Sequence, residues 1–365
     1  MGRIEGVSAG FEVDDMDPSG GSNLKVLFVH ISPGEVPSFV QRDIDILRSA
    51  FQVTIFFYSG WRDIPRLLNQ VLRSDVIVSW FAWDQAFWGN LFAYIFRRGA
   101  ITIVGGFDVA SVPEISYGNL LNQRSRTRTL WALRFADFIL AVSESTAHEA
   151  LKFSGRTDTR VVYHGFDASH YSMGREKRQL AVTVGDVTVS NLYRKGILSF
   201  VRTASHLPDI PFFVVGRVEV DAMKVLGATP ENVKYVGRLS EADYLALLRD
   251  SKVYVQVSAH EGFGCSLAEA MLSGCVPVVS DRGAIPEVVG ELGFHVQRDN
   301  PAEIARAVRQ ALATPATAGE QVRSRIVRLF PLGRRAAALQ QAVFLSVRRD
   351  GATKRDVLLG RDSSR

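Results

Sequence analysis

The chain has 365 residues and is 47% hydrophobic, which predicts a globular protein of two ordinary domains. The net charge is +5, and the whole excess falls in residues 329–365 instead of on a basic stripe within a domain, which argues against nucleic-acid binding. Its two cysteines, Cys265 and Cys275, are too few for a metal cage and are typical of small buried residues in a reduced compartment, so we expect a cytoplasmic protein.

Two segments bear on export and on membrane contact. Residues 1–24 are acidic and rich in glycine, so they predict a flexible tail and lack the pattern of a signal peptide. Residues 79–100 are rich in aromatic side chains, but Asp84, Gln85 and Asn90 interrupt them, which favours a buried helix over a membrane-spanning one. A third interpretation is an aromatic face that touches a membrane surface.

Short apolar runs alternate with longer mixed segments along the first half of the chain. The strand-like runs are residues 25–30, 53–58, 75–80, 100–105, 137–142 and 160–164. Helix-like stretches at residues 38–50 and 62–73 separate the first three runs. Continuous apolar runs of this kind suit a parallel sheet that helices cover on both faces.

The same alternation restarts after a polar, turn-rich segment at residues 165–178, which we interpret as a linker. The second set of strand-like runs is 180–185, 212–216, 233–237, 252–257 and 276–280. The pattern predicts an α/β protein with two doubly wound, Rossmann-like domains. The predicted parts are a flexible tail (1–24), a first domain (25–168), a second domain (169–331), a C-terminal helix (332–347) that packs back on the first domain, and a basic tail (348–365).

Glycine follows several of the predicted strands, at Gly105, Gly106, Gly185, Gly216 and Gly237. In open parallel sheets, ligands bind outside the carboxyl ends of the strands, and glycine there lets the backbone approach a ligand closely. Any single turn between a strand and a helix also favours glycine. Four such strand ends in two similar halves favour a ligand held between two facing sheets.

The stretch HEGFGCSLAEA, residues 260–270, places Glu261 and Glu269 on either side of a glycine-rich turn that leads into a helix near Ser266. Such a helix start is suited to phosphate, because its backbone N–H groups and its dipole face the ligand. A carboxylate beside a phosphate is useful where it accepts the hydroxyl groups of a ribose or hexose. A second interpretation stays open: Ser266 and Glu269 have the spacing of a capping box, which needs no ligand.

These residues resemble a known family. EGFGCSLAEA looks like the E-x7-E motif of the retaining glycosyltransferases of family 4, and GCVPVVSDRGAIPEVVG (274–290) is similar to that family's next block. RKG (194–196) resembles its diphosphate-binding loop, and HGFD (164–167) resembles its interdomain segment. The resemblance is strong over residues 160–300 and weak in the N-terminal half. It implies the GT-B fold, in which two Rossmann-like domains face a central cleft.

The resemblance also implies a role for each matching residue. Glu269 would bind the ribose hydroxyls of the donor, and Glu261 would contact hydroxyls of the transferred sugar near the reacting face. Arg194 and Lys195 would neutralise the diphosphate, whose charge grows as the glycosidic bond breaks. The alternative for this basic pair is an ordinary solvated helix start. The remaining predicted donor-binding residues are Gly185, Gly216, Arg238, Gly262, Phe263, Gly264, Cys265 and Ser266.

The first domain is expected to hold the acceptor. The predicted acceptor-side residues are Gly34, Gly106, Asp108 and Glu114. Many relatives use a histidine in this half, but no histidine lies between His30 and His148, so we assign Asp108 as the catalytic partner. A structural role for Asp108 in the turn is the alternative. The sequence shows no His/Asp spacing of a metal site, so we expect no metal and no cofactor besides the donor.

Together these features predict a retaining glycosyltransferase that moves a hexose from a UDP- or GDP-sugar to an acceptor hydroxyl on a glycan or a lipid-linked sugar. A GT-B sugar-nucleotide epimerase or a phosphorylase is the first alternative, and a non-catalytic nucleotide-sugar binding protein is the second. Basic residues near the C-terminus suggest peripheral contact with the inner face of a membrane, although the same residues are also consistent with a solvated helix. These residues are Arg334, Arg335, Arg348 and Arg349.

Overall fold

The computed structural model describes residues 23–31 and 36–348, and the chain divides into two compact units. Unit 1 is drawn from Met1–Gly165 and Gly333–Arg365, and unit 2 is Phe166–Leu332. The chain therefore enters unit 2 at the start of the predicted linker and returns to unit 1 for its last helix. The described residues do not include Gly34, Arg349 or the predicted tails up to residue 22 and from residue 349.

Unit 1 contains a six-stranded sheet in the order β2-β1-β3-β4-β5-β6, with every neighbouring pair parallel. Its strands are β1 (Lys25–Ile31), β2 (Gln52–Tyr58), β3 (Val76–Trp80), β4 (Gly99–Val104), β5 (Phe138–Ala141) and β6 (Arg160–Val161). Strands β3 and β4 are buried along their whole length, as expected for strands covered on both faces. The strand order reverses between β1 and β3, which is the switch point of this sheet.

Five helices of unit 1 alternate with these strands. They are α1 (Ser38–Arg48), α2 (Ile64–Leu72), α3 (Asp84–Ile95), α4 (Gln123–Phe135) and α5 (Glu144–Ser154). Helix α5 illustrates the local signals: the Ser143 side chain accepts a hydrogen bond from the Thr146 N–H, and the left-handed Gly155 ends the helix.

Unit 2 contains a second parallel sheet of six strands in the order β12-β11-β10-β7-β8-β9. Its strands are β7 (Arg178–Val184), β8 (Phe212–Val215), β9 (Val233–Gly237), β10 (Ser251–Gln256), β11 (Val276–Val279) and β12 (Phe294–His295). Counted from β7, the order is that of the doubly wound nucleotide-binding fold, and the switch point lies between β7 and β10. The predicted α/β class with two Rossmann-like sheets is therefore confirmed, and the structure adds the two-residue strand β12.

Eight helices flank the sheet of unit 2, and one more returns to unit 1. They are α6 (Val189–Arg194), α7 (Ile197–Ala204), α8 (Val220–Leu226), α9 (Glu241–Asp250), α10 (Cys265–Leu272), α11 (Ile285–Val289), α12 (Pro301–Leu312), α13 (Ala316–Leu329) and α14 (Leu332–Arg348). Helices α7 and α12 contribute much of the buried apolar cluster of unit 2, with Phe200 against Phe212 at its centre.

The aromatic segment at residues 79–100 folds as the end of β3, helix α3 and the start of β4. Two of its polar interruptions are buried within unit 1: the Gln85 side chain donates to the Trp80 carbonyl, and Asn90 donates to Thr102 and to the Ala132 carbonyl. Asp84 is half-buried and forms an ion pair with Arg128. Among the described residues, no helix combines the length and apolar character needed to cross a bilayer.

A buried ion pair fixes helix α14 to helix α1 within unit 1. The Arg335 guanidinium donates to both carboxylate oxygens of Asp43, at 2.5 and 2.6 Å, and also to the carbonyls of Val162 and Tyr163. The Trp80 indole N–H donates to Asp43 at 2.7 Å. Arg335 is only 2% exposed, so the interpretation of this residue as a membrane-facing arginine is wrong.

The first prediction concerns this ion pair. Because removing one partner leaves a buried charge without compensation, we expect Asp43→Asn to lower the free energy of unfolding of unit 1 by about 3 kcal/mol. Denaturation followed by tryptophan fluorescence measures this, since all five tryptophans belong to unit 1. Asp45→Asn is the matched control, because Asp45 lies on the same helix but is exposed. Equal losses in both variants would contradict a specific role for the pair.

Candidate functional site

The candidate site lies at the carboxyl edge of the unit 2 sheet, where β10 leads through a glycine-rich turn into α10. Gly264 ends the turn with φ of 97°, a left-handed conformation that favours glycine, and α10 begins at Cys265. The N-cap residue of this helix is Gly264, which has no side chain to cap it. Ser266 instead accepts a hydrogen bond from the Tyr254 hydroxyl, so the capping-box interpretation is wrong. The helix start retains the polarity that suits an anion.

Glu261 is buried within this turn and is held by two hydrogen-bond donors and a second cation. Its Oε1 lies 3.0 Å from Lys195 Nζ, 3.6 Å from Arg194 Nη1 and 2.9 Å from the Ser258 hydroxyl. Burial opposes ionisation of this carboxyl, but the two cations and the hydrogen bonds overcome it and lower its pKa to about 2. Glu261 is therefore an anion at neutral pH, and together with Lys195 and Arg194 it forms a trio with a net charge of one positive unit.

The two cations come from the end of α6, not from a helix start. Arg194 is the last residue of α6, and its guanidinium donates to the Asn191 side chain at 2.7 Å. Lys195 follows in the cap, with its stem packed on Gly185, where an added Cβ would lie 2.5 Å from Lys195 Cδ. Both side chains are largely buried, at 15% and 19% exposure, so the solvated-helix interpretation is wrong.

Glu269 lies in α10 and is also buried. The Tyr244 hydroxyl donates to its Oε2 at 2.7 Å, and burial together with this carboxylate raises the pKa of Tyr244, which keeps the phenol a donor. Burial first, and then the charges of Glu261 and Glu269, also raise the pKa of Tyr254. The carboxylates of Glu261 and Glu269 therefore both raise the pKa of the buried Tyr254 hydroxyl beside the start of α10.

Some of the other predicted donor-binding residues have a packing role near the site. An added Cβ on Gly216 would lie 2.4 Å from the Gly185 carbonyl, so glycine there serves the close approach of two strand ends. Phe263 is 3% exposed and packs between Phe166 and Phe330, so its side chain anchors the turn. Of the remaining predicted donor-binding residues, Arg238 is exposed, and three are half-buried: Gly262, Cys265 and Ser266.

The predicted acceptor-side residues belong to unit 1. Asp108 is fully buried, and its carboxylate accepts backbone N–H groups from Ala82, Gly105 and Gly106, at 2.9 to 3.0 Å. Burial raises its pKa to about 6 in spite of these hydrogen bonds. This arrangement fits the alternative role in the turn and does not present Asp108 to an acceptor. Glu114 is exposed in the same loop.

Several contributors to the site were missed by sequence reasoning. Ser258 and Asn191 support Glu261 and Arg194, and each lies three residues from its partner, so local spacing could have suggested both. Tyr244 lies 25 residues from Glu269 on another helix and carries no local signal. Within the described ranges, no group of three or more metal-binding side chains occurs.

Comparison with known proteins gives a family match and a fold match. Residues 178–314, most of unit 2, match the family model described as Glycosyl transferases group 1. The lipopolysaccharide core biosynthesis mannosyltransferase LpcC of Rhizobium leguminosarum bv. viciae is 27% identical over 253 residues, 62% of this chain and 69% of LpcC. A GDP-mannose:cellobiosyl-diphosphopolyprenol alpha-mannosyltransferase of Xanthomonas campestris is 27% identical over 53% of this chain and 55% of its own length.

Among solved structures, Anabaena Alr3699/HepE in complex with UDP aligns with a TM-score of 0.72 at 19% identity, covering 88% of this chain and 100% of that one. At this identity the match shows the fold, which is of the GT-B type. The chain spans about two thirds of one of the two curated relatives named above and about half of the other.

The second prediction tests the electrostatics of Glu261. A fall of its pKa from 4.5 to about 2 corresponds to roughly 3 kcal/mol of stability that is present above pH 4.5 and lost as the pH falls toward 2. Because glutamine keeps the Ser258 contact, we expect Glu261→Gln to destabilise unit 2 by about 2 kcal/mol at pH 7 and by about half as much at pH 3.

Unit 2 has no tryptophan, so hydrogen exchange of the β10 amides is the suitable measurement. Glu320→Gln removes the same charge from an exposed position on α13 and serves as the control, with no change expected. A loss for Glu261→Gln that is the same at both pH values would show that charge pairing is not its cause.

Proposed function

We propose that this protein is a glycosyltransferase that binds a nucleotide-diphosphate sugar in unit 2 and transfers the sugar to an acceptor hydroxyl. The observation that carries the proposal is the trio of Glu261, Lys195 and Arg194 at the switch point of the sheet, beside the start of α10. The match of residues 178–314 to a glycosyltransferase domain and the mannosyltransferase relatives support it.

The donor diphosphate is the group that best fits the positive side of this site. The trio has a net positive charge, and the start of α10 adds a partial positive charge. As the glycosidic bond breaks, negative charge grows on the departing diphosphate, so contacts with Lys195 and Arg194 strengthen in the transition state. These cations supply the charge that a divalent ion supplies in other transferases, so we propose transfer without a metal.

The two acids then serve the hydroxyl groups of the donor. Glu269, oriented by Tyr244, accepts the ribose hydroxyls, and Glu261 accepts hydroxyls of the transferred hexose. With a pKa of about 2, Glu261 is a weak base, so it is poorly suited to remove a proton from the acceptor. We therefore propose that an oxygen of the departing diphosphate takes that proton. Attack on the same face of the sugar follows, with retention of configuration.

The donor is proposed to be a UDP- or GDP-sugar, because HepE was solved with UDP and the Xanthomonas relative is named for GDP-mannose. LpcC and the Xanthomonas relative are both named as mannosyltransferases, and the Xanthomonas relative is named for a diphosphopolyprenol acceptor. These names support a glycan or lipid-linked acceptor. Peripheral membrane association stays a prediction that depends on Arg334, on Arg348 and on residues outside the described ranges.

The third prediction tests the donor site by calorimetry. Because hydrogen bonds to a charged acceptor contribute about 1.5–3 kcal/mol, we expect Glu269→Gln to weaken binding of UDP or GDP by about tenfold or more. Glu320→Gln is the matched control and should bind as wild type does. Equal nucleotide affinity in wild type and Glu269→Gln would favour the non-catalytic alternative or a different site.

Incubation of wild type with each donor sugar alone separates the enzymatic alternatives. A transferase is expected to release nucleoside diphosphate and free sugar slowly, with the sugar unchanged in configuration. An epimerase would convert the sugar while it remains linked to the nucleotide, and a phosphorylase would require inorganic phosphate. Either of the last two results would contradict the proposed transfer.

The fourth prediction uses the two cysteines as a footprint. Cys265 is half-buried at the start of α10, whereas Cys275 is fully buried and burial raises its pKa to about 11. We expect the bound nucleotide to slow alkylation of Cys265 by iodoacetamide at least fivefold and to leave the slow reaction of Cys275 unchanged. Mass spectrometry of the two peptides measures both rates. Nucleotide binding without protection of Cys265 would place the diphosphate elsewhere.

A further inference from the structure

A cavity lies within unit 1, the half predicted to hold the acceptor, although the sequence predicted none of its lining residues. It has a volume of about 330 Å³, within the ~300–1,000 Å³ range of small-molecule sites. It is lined by the end of β1 at Ile31, by Trp83 after β3, by Phe107 after β4 and by the first turns of α4. This is the carboxyl edge of the sheet at its switch point, where ligands of doubly wound domains bind.

One wall of the cavity is aromatic. Trp83 stacks on Phe81 with ring centroids 4.7 Å apart and meets Phe107 edge-on at 5.8 Å. Phe107 meets Tyr117 in the same way and is 37% exposed, so part of its ring is accessible to a ligand. The Trp83 indole N–H is buried and has no hydrogen-bond partner among the residues that the structure describes. The wall therefore offers apolar ring faces and one donor.

The charged part of the lining carries two arginines and one acid, Asp84. Arg124 and Arg128 both line the cavity from α4, and Arg128 forms an ion pair with Asp84. Arg124 is exposed and makes no ion pair within residues 23–31 and 36–348. Its position in the first turn of α4 is unfavourable for a cation, because that end of the helix is itself positive, and the turn contains no acid. A bound anion would remove this electrostatic cost.

We propose that this cavity binds the acceptor, and that the acceptor is a sugar carrying an anionic group. The apolar face of the sugar ring packs on Trp83 and Phe107, and the anion, a phosphate, diphosphate or carboxylate, pairs with Arg124 and Arg128. The identification of the ligand as the acceptor rests on the proposed function, whereas the preference for an anionic sugar is argued from the cavity alone. Among the residues that the structure describes, the lining carries two cations and one acid, so a neutral sugar would leave one positive charge uncompensated.

Tryptophan fluorescence is suited to the test, because Trp83 lines the cavity and unit 2 has no tryptophan. The probes are glucose 1-phosphate, glucuronate and dodecyl diphosphoglucose, with methyl glucoside as the neutral probe. Wild type should bind at least one anionic probe about tenfold more tightly than methyl glucoside. Preference for the dodecyl probe would assign the anion to a lipid carrier, and preference for the others would assign it to a soluble sugar. Equal affinity for all four probes would overturn the proposal.

The variant Arg124→Gln should lose about tenfold in affinity for the preferred anionic probe and keep its affinity for methyl glucoside. Arg126→Gln is the matched control, because Arg126 lies on the same helix but stacks on Phe153 and does not line the cavity. It removes the same charge and should bind as wild type does. Equal losses in both variants would show a general field effect and overturn the specific site.

Failure of this proposal and failure of the proposed function are distinguishable. Calorimetry with UDP and GDP should give the same affinity for wild type, Arg124→Gln and Arg126→Gln, since the donor site belongs to unit 2. Nucleotide binding without any anionic-sugar binding would overturn the cavity proposal and leave the donor site standing. Anionic-sugar binding that depends on Arg124, without nucleotide binding, would support the cavity and overturn the transferase.

Discussion

The ion pair between Lys195 and Glu261 is the interaction on which the unit 2 site depends. The two residues are 66 positions apart, and they meet because β7 and β10 are parallel neighbours whose carboxyl ends lie at the same edge. The end of α6, the helix that follows β7, supplies the cations, and the turn after β10 supplies the acid and the helix start. A change that shifted the pairing of these two strands would separate the charges even if every side chain were kept.

This pairing also explains how two largely buried cations are tolerated. Arg194 and Lys195 lie close to one another, and Glu261 offsets their mutual repulsion while the Ser258 hydroxyl fixes its orientation. The folded protein holds these groups in position before the reaction begins, so no free energy is needed to order them during the reaction. This is the basis of electrostatic preorganisation. The depressed pKa of Glu261 keeps this arrangement intact across the neutral range.

Features that depend on neighbouring residues in the sequence could be predicted, whereas features that depend on contacts between distant residues could not. Buried apolar runs such as β3 and β4 indicated a parallel sheet, and glycine-rich turns indicated the ligand edge. The spacing of Ser266 and Glu269 suggested a capping box, but Gly264 starts the helix earlier and Tyr254 binds Ser266. Asp43 and Arg335 lie 292 positions apart, so no local pattern could join them.

The cavity of unit 1 was hidden for a related reason. In sequence, Arg124, Arg126 and Arg128 are typical of a solvated basic helix, and only the fold separates the two that line the cavity from the one on Phe153. Asp84, 44 positions away, then offsets Arg128 much as Glu261 offsets Lys195. Among the described residues, each unit thus places two cations and a paired acid at the switch point of its own sheet, and unit 2 adds the second acid Glu269. Because each group of charges lies within a single unit, the proposed binding of an anion is argued for each sheet separately.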